Sequence, residues 1–208
     1  MFSQHGPIYL DNNATTALDP EVLQAMMPYL TRAYGNAAST GHAFGWEASA
    51  AVEQARAMIA NAINAAGPAD IIFTSGATES ANLALSGLLP REGEEKGHII
   101  TSMIEHKAVL DSCARLADAG TCVTYLPPQP DGIVCPSIFS RAIRADTRLV
   151  SIMAANNETG TLQKIEEIGA ICQKRNVPFH TDATQAFGKV AFDVRRMNIS
   201  PVSYTHLR

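Results

Sequence analysis

Apolar positions along this chain switch repeatedly between helical and strand spacing. In "LDPEVLQAMMPYL" (18–30), Val22, Met26 and Leu30 recur along one helical face, Asp19 caps the segment and Pro20 takes the first helical position. "YGNAAST" (34–40) is rich in turn formers and reads as a loop. "FGWEASAAVEQARAMIANAINAAG" (44–67) predicts a long helix, with Trp46, Ala50, Ala57 and Ile63 among its inward positions. From there short aliphatic runs alternate with amphipathic stretches. Strands are predicted at 70–75 ("DIIFTS"), 97–102 ("GHIITS"), 122–127 ("CVTYLP"), 148–155 ("RLVSIMAA") and 178–182 ("PFHTD"). Helices are predicted between them, at 77–89, 106–120, 136–146 and 164–176.

Strands with continuous β-branched and aliphatic content, alternating with amphipathic helices, argue for an α/β fold of three layers, αβα, with a mainly parallel sheet covered on both faces. In such sheets ligands bind beyond the carboxyl ends of the strands. The polar residues at those ends are Thr74-Ser75-Gly76-Ala77-Thr78, then Glu105 and His106, then Asn156-Asn157-Glu158, then Asp182 with Gln185. They are expected to converge on one rim.

Composition narrows the classes. Of the 208 residues 46% are hydrophobic and 17% charged, which is ordinary for a globular chain and excludes disorder. The formal net charge of −4, with the basic residues scattered, excludes a nucleic-acid surface. No apolar run approaches the ~20 residues needed to span a bilayer. "MFSQHGPIYLDNN" lacks the basic start and apolar core of a signal peptide, so no membrane role and a cytoplasmic location are expected. Cys113, Cys122, Cys135 and Cys172 form no CxxC pair and read as reduced thiols.

The strand-end residues then set the chemistry. Gly76 permits a tight turn, and the N–H groups of Ala77 and Thr78 at a helix start suit a phosphate, although such a turn can equally be a plain cap. His106 opens a helix; it is either a solvated histidine or an imidazole placed against a flat ring. Asn157 and Gln185 are either loop caps or amide donors to a ligand. His180 and Asp182 lie two apart on one strand face, but no further metal ligand stands at a suggestive spacing. A carboxylate straight after a buried strand is costly unless something positive meets it. Together these groups specify a phosphate cup, a stacking ring, amide donors and a buried acid, and pyridoxal 5'-phosphate fits each part. Asp182 would meet the protonated pyridine nitrogen, which keeps the ring an electron sink.

The motifs "YLDNNATT", "YGNAAST.H", "FTSGATESANLAL", "HIITS..EHKAVL", "VSIMAANNETGTLQ" and "FHTDATQAFGK" together resemble the cysteine desulfurases of the NifS/IscS type, in the class V aminotransferase superfamily. The resemblance runs from about residue 8 to about residue 199. It implies a pyridoxal-phosphate-dependent, fold type I enzyme that converts L-cysteine to alanine and leaves the sulfur as an enzyme persulfide. It also implies a homodimer in the cytosol, serving iron–sulfur cluster or thio-cofactor synthesis through a scaffold or sulfur-acceptor protein. By position, Ala77 and Thr78 match the phosphate-binding residues and His106 the ring-stacking histidine. Asn157 and Gln185 match polar contacts of the cofactor, and Asp182 matches the partner of the pyridine nitrogen.

Members of that family are about twice as long. The Schiff-base lysine, in a Ser-x-Ser-Gly-His-Lys stretch, and the sulfur-accepting cysteine are expected in the remaining half. In an ungapped comparison Ser203 falls on the first serine, His206 is displaced by one, and Arg208 falls on the lysine. Arginine stays protonated and cannot form the imine. Lys96, Lys107, Lys164, Lys174 and Lys189 all lie elsewhere. Residues 1–16 therefore read as an N-terminal segment, 17–200 as a partial cofactor-binding domain, and 201–208 as a tail foreign to the protein, in which Pro201 breaks an expected strand. Residues 1–208 alone are expected to be inactive. Two alternatives stay open: another class V enzyme, such as a selenocysteine lyase or an aminotransferase, or a non-catalytic dimerising relic.

Overall fold

The computed structural model describes residues 7–89 and 97–203. The chain divides into two compact units at Ala55/Arg56. The first unit contains α1 (Pro20–Thr31) and the larger part of α2 (Ala43–Ala62). Asp19 caps α1 as expected, its carboxylate accepting from the Glu21 amide at 2.8 Å. Val22, Met26 and Leu30 do share a helical face, yet α1 has no buried residue. Trp46, expected inward, is 60% exposed, and its indole N–H donates to the Thr40 carbonyl at 2.6 Å.

The second unit carries the sheet. Its elements are α3 (Ala77–Gly87), β1 (His98–Ser102), α4 (Lys107–Asp118), β2 (Cys122–Leu126), α5 (Pro136–Ala142), β3 (Thr147–Ser151), α6 (Ile165–Arg175), β4 (Phe179–Asp182) and β5 (Val202–Ser203). Among the described residues the strands form one sheet in the order β2-β1-β3-β4-β5, every pair parallel. Successive residues of a strand face opposite layers, and both layers are apolar. Ile99 and Leu149 pack with Ala81 and Leu85 of α3 and with Val109 and Cys113 of α4. Ile100, Val150 and Phe179 pack with Phe139 of α5 and with Ile165, Ile168 and Cys172 of α6. Phe139 and Phe179 are fully buried, which stabilises the fold by ~1.5–3 kcal/mol each.

The ends of α6 follow from its charges. Glu166 and Glu167 lie in its first turn and Lys174 and Arg175 in its last, complementing the helix dipole, and Asn176 closes it in the left-handed region at φ 54°. Gly169, mid-helix, lies against the backbone of Met197; a Cβ there would stand 1.8 Å from the Met197 carbonyl oxygen. At the start of β1, buried His98 bridges both neighbouring strands. Its Nδ1 meets Thr147 Oγ1 at 2.9 Å and its Nε2 meets Thr124 Oγ1 at 2.8 Å.

Further expectations change in the second unit, where the helix predicted at 136–146 already ends at Ala142. The run 70–75 forms no strand: Ile71 is buried and extended, but Ile72 and Phe73 are exposed. The Ile71 carbonyl, which a neighbouring strand would engage, accepts instead from Arg56, whose guanidinium lies 4.8 Å over the Phe73 ring. The strand predicted at 148–155 is assigned as Thr147–Ser151, although the amides of Ile152 and Ala154 go on donating to the His180 and Asp182 carbonyls, at 3.2 and 2.9 Å. Pro201 does not break the strand that follows. A proline is tolerated at a strand start because its missing N–H is not required there, and its carbonyl accepts from the Thr181 amide at 3.3 Å. Lys96, His206 and Arg208 lie outside the described residues.

Candidate functional site

Parallel strands align their carboxyl ends, so the segments leaving β1, β3 and β4 emerge side by side at one edge. Three of the site residues read from the sequence sit on those exits, His106 after β1, Asn157 after β3 and Asp182 as the last residue of β4, with Gln185 on the turn beyond.

Asp182 is buried, and its Oδ1 accepts from the Thr184 amide at 2.9 Å, which holds the carboxylate at the strand end. His106 is exposed and serves as the N-cap of α4: Nδ1 accepts from the Ala108 amide at 3.1 Å. With Nδ1 an acceptor, the neutral ring carries its proton on Nε2. Asn157 is half-buried and its Nδ2 donates to Glu158 Oε1 at 2.8 Å. Gln185, also half-buried, accepts at Oε1 from Lys189 Nζ at 2.8 Å.

Ala77 and Thr78 open α3, which packs on the same sheet face as α4 and touches β4 and β5. The Thr78 carbonyl accepts from Asn82 Nδ2 at 2.8 Å, and Asn82 Oδ1 accepts from Ser112 Oγ of α4 at 2.9 Å, so the start of α3 is braced. Gly76, the N-cap, brings no side chain to the free N–H groups of the first turn. Glu79 turns back on Ser75, accepting from both its amide and its hydroxyl at 2.6 Å, and these bonds lower the carboxyl's pKa.

His180 is a core histidine. Ser151 Oγ meets its Nδ1 at 2.8 Å and Ser203 Oγ its Nε2 at 3.0 Å, and burial brings its pKa down to about 4. Both ring nitrogens are engaged by serines, which leaves none for a metal. The cavity of about 510 Å³ beside Gln173, Pro178 and Arg195 lies at the opposite edge, where β4 begins, and contains none of the six residues.

Three buried side-chain polar atoms lack a hydrogen-bond partner among the described residues: Thr101 Oγ1 near the end of β1, Glu105 Oε2 and Thr184 Oγ1. Native folds seldom leave such atoms unpaired unless a ligand or water meets them. Together with a buried carboxylate and a helix start without a side-chain cap, they fit a ring with one cationic nitrogen and an anionic arm.

A family model for class V aminotransferases matches residues 8–203. The chain belongs to the aminotransferase class V family. Curated class V relatives include "Cysteine desulfurase IscS" of Rickettsia bellii (strain OSU 85-389), 52% identical over 95% of this chain and 48% of that protein. "Cysteine desulfurase, mitochondrial" of Drosophila melanogaster is also 52% identical, over 95% of this chain and 42% of that protein. Among solved structures, "SspA in complex with cysteine" superposes with a TM-score of 0.91 at 43% identity, over 95% of this chain and 56% of that one. A structure titled "NIFS-LIKE PROTEIN" gives 0.90 at 40% identity, over 95% and 54%. The chain spans about half the length of the curated relatives it matches. The three-layer, mainly parallel architecture is that of the pyridoxal-phosphate transferase fold found in cysteine desulfurases of this class V family. Among the described residues no helix is long and apolar enough to cross a membrane.

Glu105 and Asn156 had been noted only as strand-end polar residues. Glu105 could have been found by the argument that found Asp182, since it too is an acidic residue in the turn that leaves a buried strand.

Proposed function

We propose that residues 7–203 form the cofactor-facing half of a cytoplasmic, homodimeric, pyridoxal-phosphate-dependent cysteine desulfurase. It would take L-cysteine and pass the sulfur toward iron–sulfur or thio-cofactor synthesis. The observation that carries the reading is the buried Asp182 carboxylate, on the edge it shares with the exits of β1 and β3, in a class V chain. Relatives named cysteine desulfurase at about half identity support the substrate class.

In this reading Asp182 would hold the ring nitrogen, and the amides at Ala77 and Thr78 with the Thr78 hydroxyl would take the phosphate. His106 would lie against the ring, and Asn157 and Gln185 would supply polar contacts. When bound, the cofactor supplies an electron sink for negative charge formed at the substrate Cα. The chain's own contribution is electrostatic and positional. Asp182 presents a fixed negative charge at a strand end, where little reorganisation is needed. His106 keeps Nδ1 in the helix cap, which leaves the Nε2–H as the ring's free hydrogen-bond donor.

The test is a cofactor titration of the protein and of Asp182→Asn. Asparagine keeps an oxygen for the Thr184 amide but removes the charge. Affinity is expected to fall about tenfold or more, the worth of a charge-assisted hydrogen bond. Equal affinity in the two proteins would refute the assignment of Asp182. Residues 1–208 by themselves are expected to release no sulfide from cysteine.

A further inference from the structure

The turn from β1 into α4 is tied to the segment leaving β3 at two points. Glu105 Oε1 accepts from the Met153 amide at 2.9 Å, and Asn156 Nδ2 donates to the Ile104 carbonyl at 2.9 Å. Within the turn, Ser102 Oγ donates to the same Glu105 oxygen at 2.6 Å. Asn156 also orders its own loop, its Oδ1 accepting from the amides of Glu158 and Thr159 and from the Thr159 hydroxyl, at 3.0, 2.9 and 3.1 Å. The loops bearing His106 and Asn157 are thereby one cross-linked body.

Glu105 is an unusual choice for that tie. Its carboxyl is buried, with Oε2 left without a hydrogen-bond partner among the described residues. Burial pushes its pKa up to about 8; the Ser102 and Met153 hydrogen bonds act the other way, and the charge of Asp182 adds a smaller push upward. A buried glutamate of this kind is poor for stability, so its place next to a site residue calls for a functional account. We infer that Glu105 is the positioning residue for His106: its carboxyl fastens the β1–α4 turn to the β3 exit and so sets the imidazole relative to Asp182. This rests on the proposed cofactor site for the role of His106, but the tie itself exists without cofactor.

The test compares the protein with Glu105→Gln and Glu105→Ala. Glutamine keeps an acceptor for Ser102 and Met153; alanine keeps none. Two readouts need no cofactor: hydrogen-exchange protection of the Met153 amide, and the ring resonances of His106. Glu105→Ala is expected to lose about tenfold in Met153 protection, the worth of one buried hydrogen bond, and to shift the His106 resonances. Glu105→Gln is expected to restore both. Pyridoxal phosphate affinity, measured in parallel, should fall in Glu105→Ala and recover in Glu105→Gln. If Glu105→Ala does not fold, Glu105→Met, which fills the volume without an acceptor, gives the same readouts. Unchanged His106 resonances and Met153 protection in the alanine or methionine variant would overturn the inference. A shifted His106 with unaltered cofactor affinity would uphold the tie and refute the cofactor reading.

Discussion

Ser203 stands directly opposite Asp182 in the parallel ladder of β4 and β5, and its hydroxyl hydrogen-bonds Nε2 of His180, 3.0 Å away. The residue that aligns with the first serine of the family's lysine stretch is thus packed beside the carboxylate read as the ring-nitrogen partner. Its hydroxyl serves the core. Ser203→Ala leaves Nε2 of a fully buried imidazole unpaired, so it is expected to cost ~1–3 kcal/mol. Urea denaturation measures this; a loss too small to resolve would show that His180 finds another partner.

Glu105 and His180 pull stability in opposite directions with pH. Glu105, raised to about 8 by burial, contributes stability present below the ordinary glutamate value of about 4.3 and lost as pH rises through about 8. His180, lowered to about 4, contributes stability present above its ordinary value of about 6.5 and lost as pH falls through about 4. The two slopes cancel between about pH 4 and 6.5, and above that only Glu105 acts, so stability should fall toward about pH 8. The titratable groups facing Glu105 are Asp182 on β4 and the Cys113 thiol on α4, itself pushed up to about 12 by burial and then by Glu105. In Glu105→Gln the decline above about pH 6.5 should vanish in chemical denaturation. An equally steep decline there would assign it to another group.

Gly169→Ala sets two effects against each other. Helix propensity favours alanine by ~1 kcal/mol. The new Cβ, however, would meet the Met197 carbonyl at 1.8 Å, and moving that backbone is expected to cost ~1–3 kcal/mol, as overpacking does. The clash wins, and thermal unfolding should show a lower midpoint. A raised midpoint would mean that 193–198 yields freely.

His106 has a structural and a proposed chemical role, and one substitution separates them. Asparagine caps helices well, so His106→Asn should keep stability within ~0.5 kcal/mol while cofactor affinity falls, as followed by absorbance titration. Cofactor affinity retained in His106→Asn and lost only in His106→Ala would leave the imidazole with no role beyond the cap.

Runs of β-branched and aliphatic residues identified β1, β2 and β3, and Phe179 and Thr181 after Pro178 identified β4. The same pattern overreached at 70–75, where apolar content is the same but Arg56 takes the Ile71 carbonyl that a neighbouring strand would need. It missed β5, whose two residues after a proline carry no pattern. Asp182 was legible because a charge after a buried strand demands a partner. Glu105 stood in the same kind of place, but its partner is a backbone amide 48 residues away, and the sequence carries no mark of that contact.

A sheet sealed between two oily layers loses the cue by which most strands find their alignment. Slide β1 by one residue and Ile99 trades sides with Ile100, yet both still land among aliphatic neighbours. Greasy surroundings cannot tell the two settings apart. His98 can, because its ring reaches the hydroxyls of Thr124 and Thr147 only when all three strands are seated together. A misaligned β1 would strand a buried imidazole and turn the Glu105–His106 turn the wrong way. The accuracy of the carboxyl edge is therefore decided at the opposite end of the strand, by a polar key in an apolar lock.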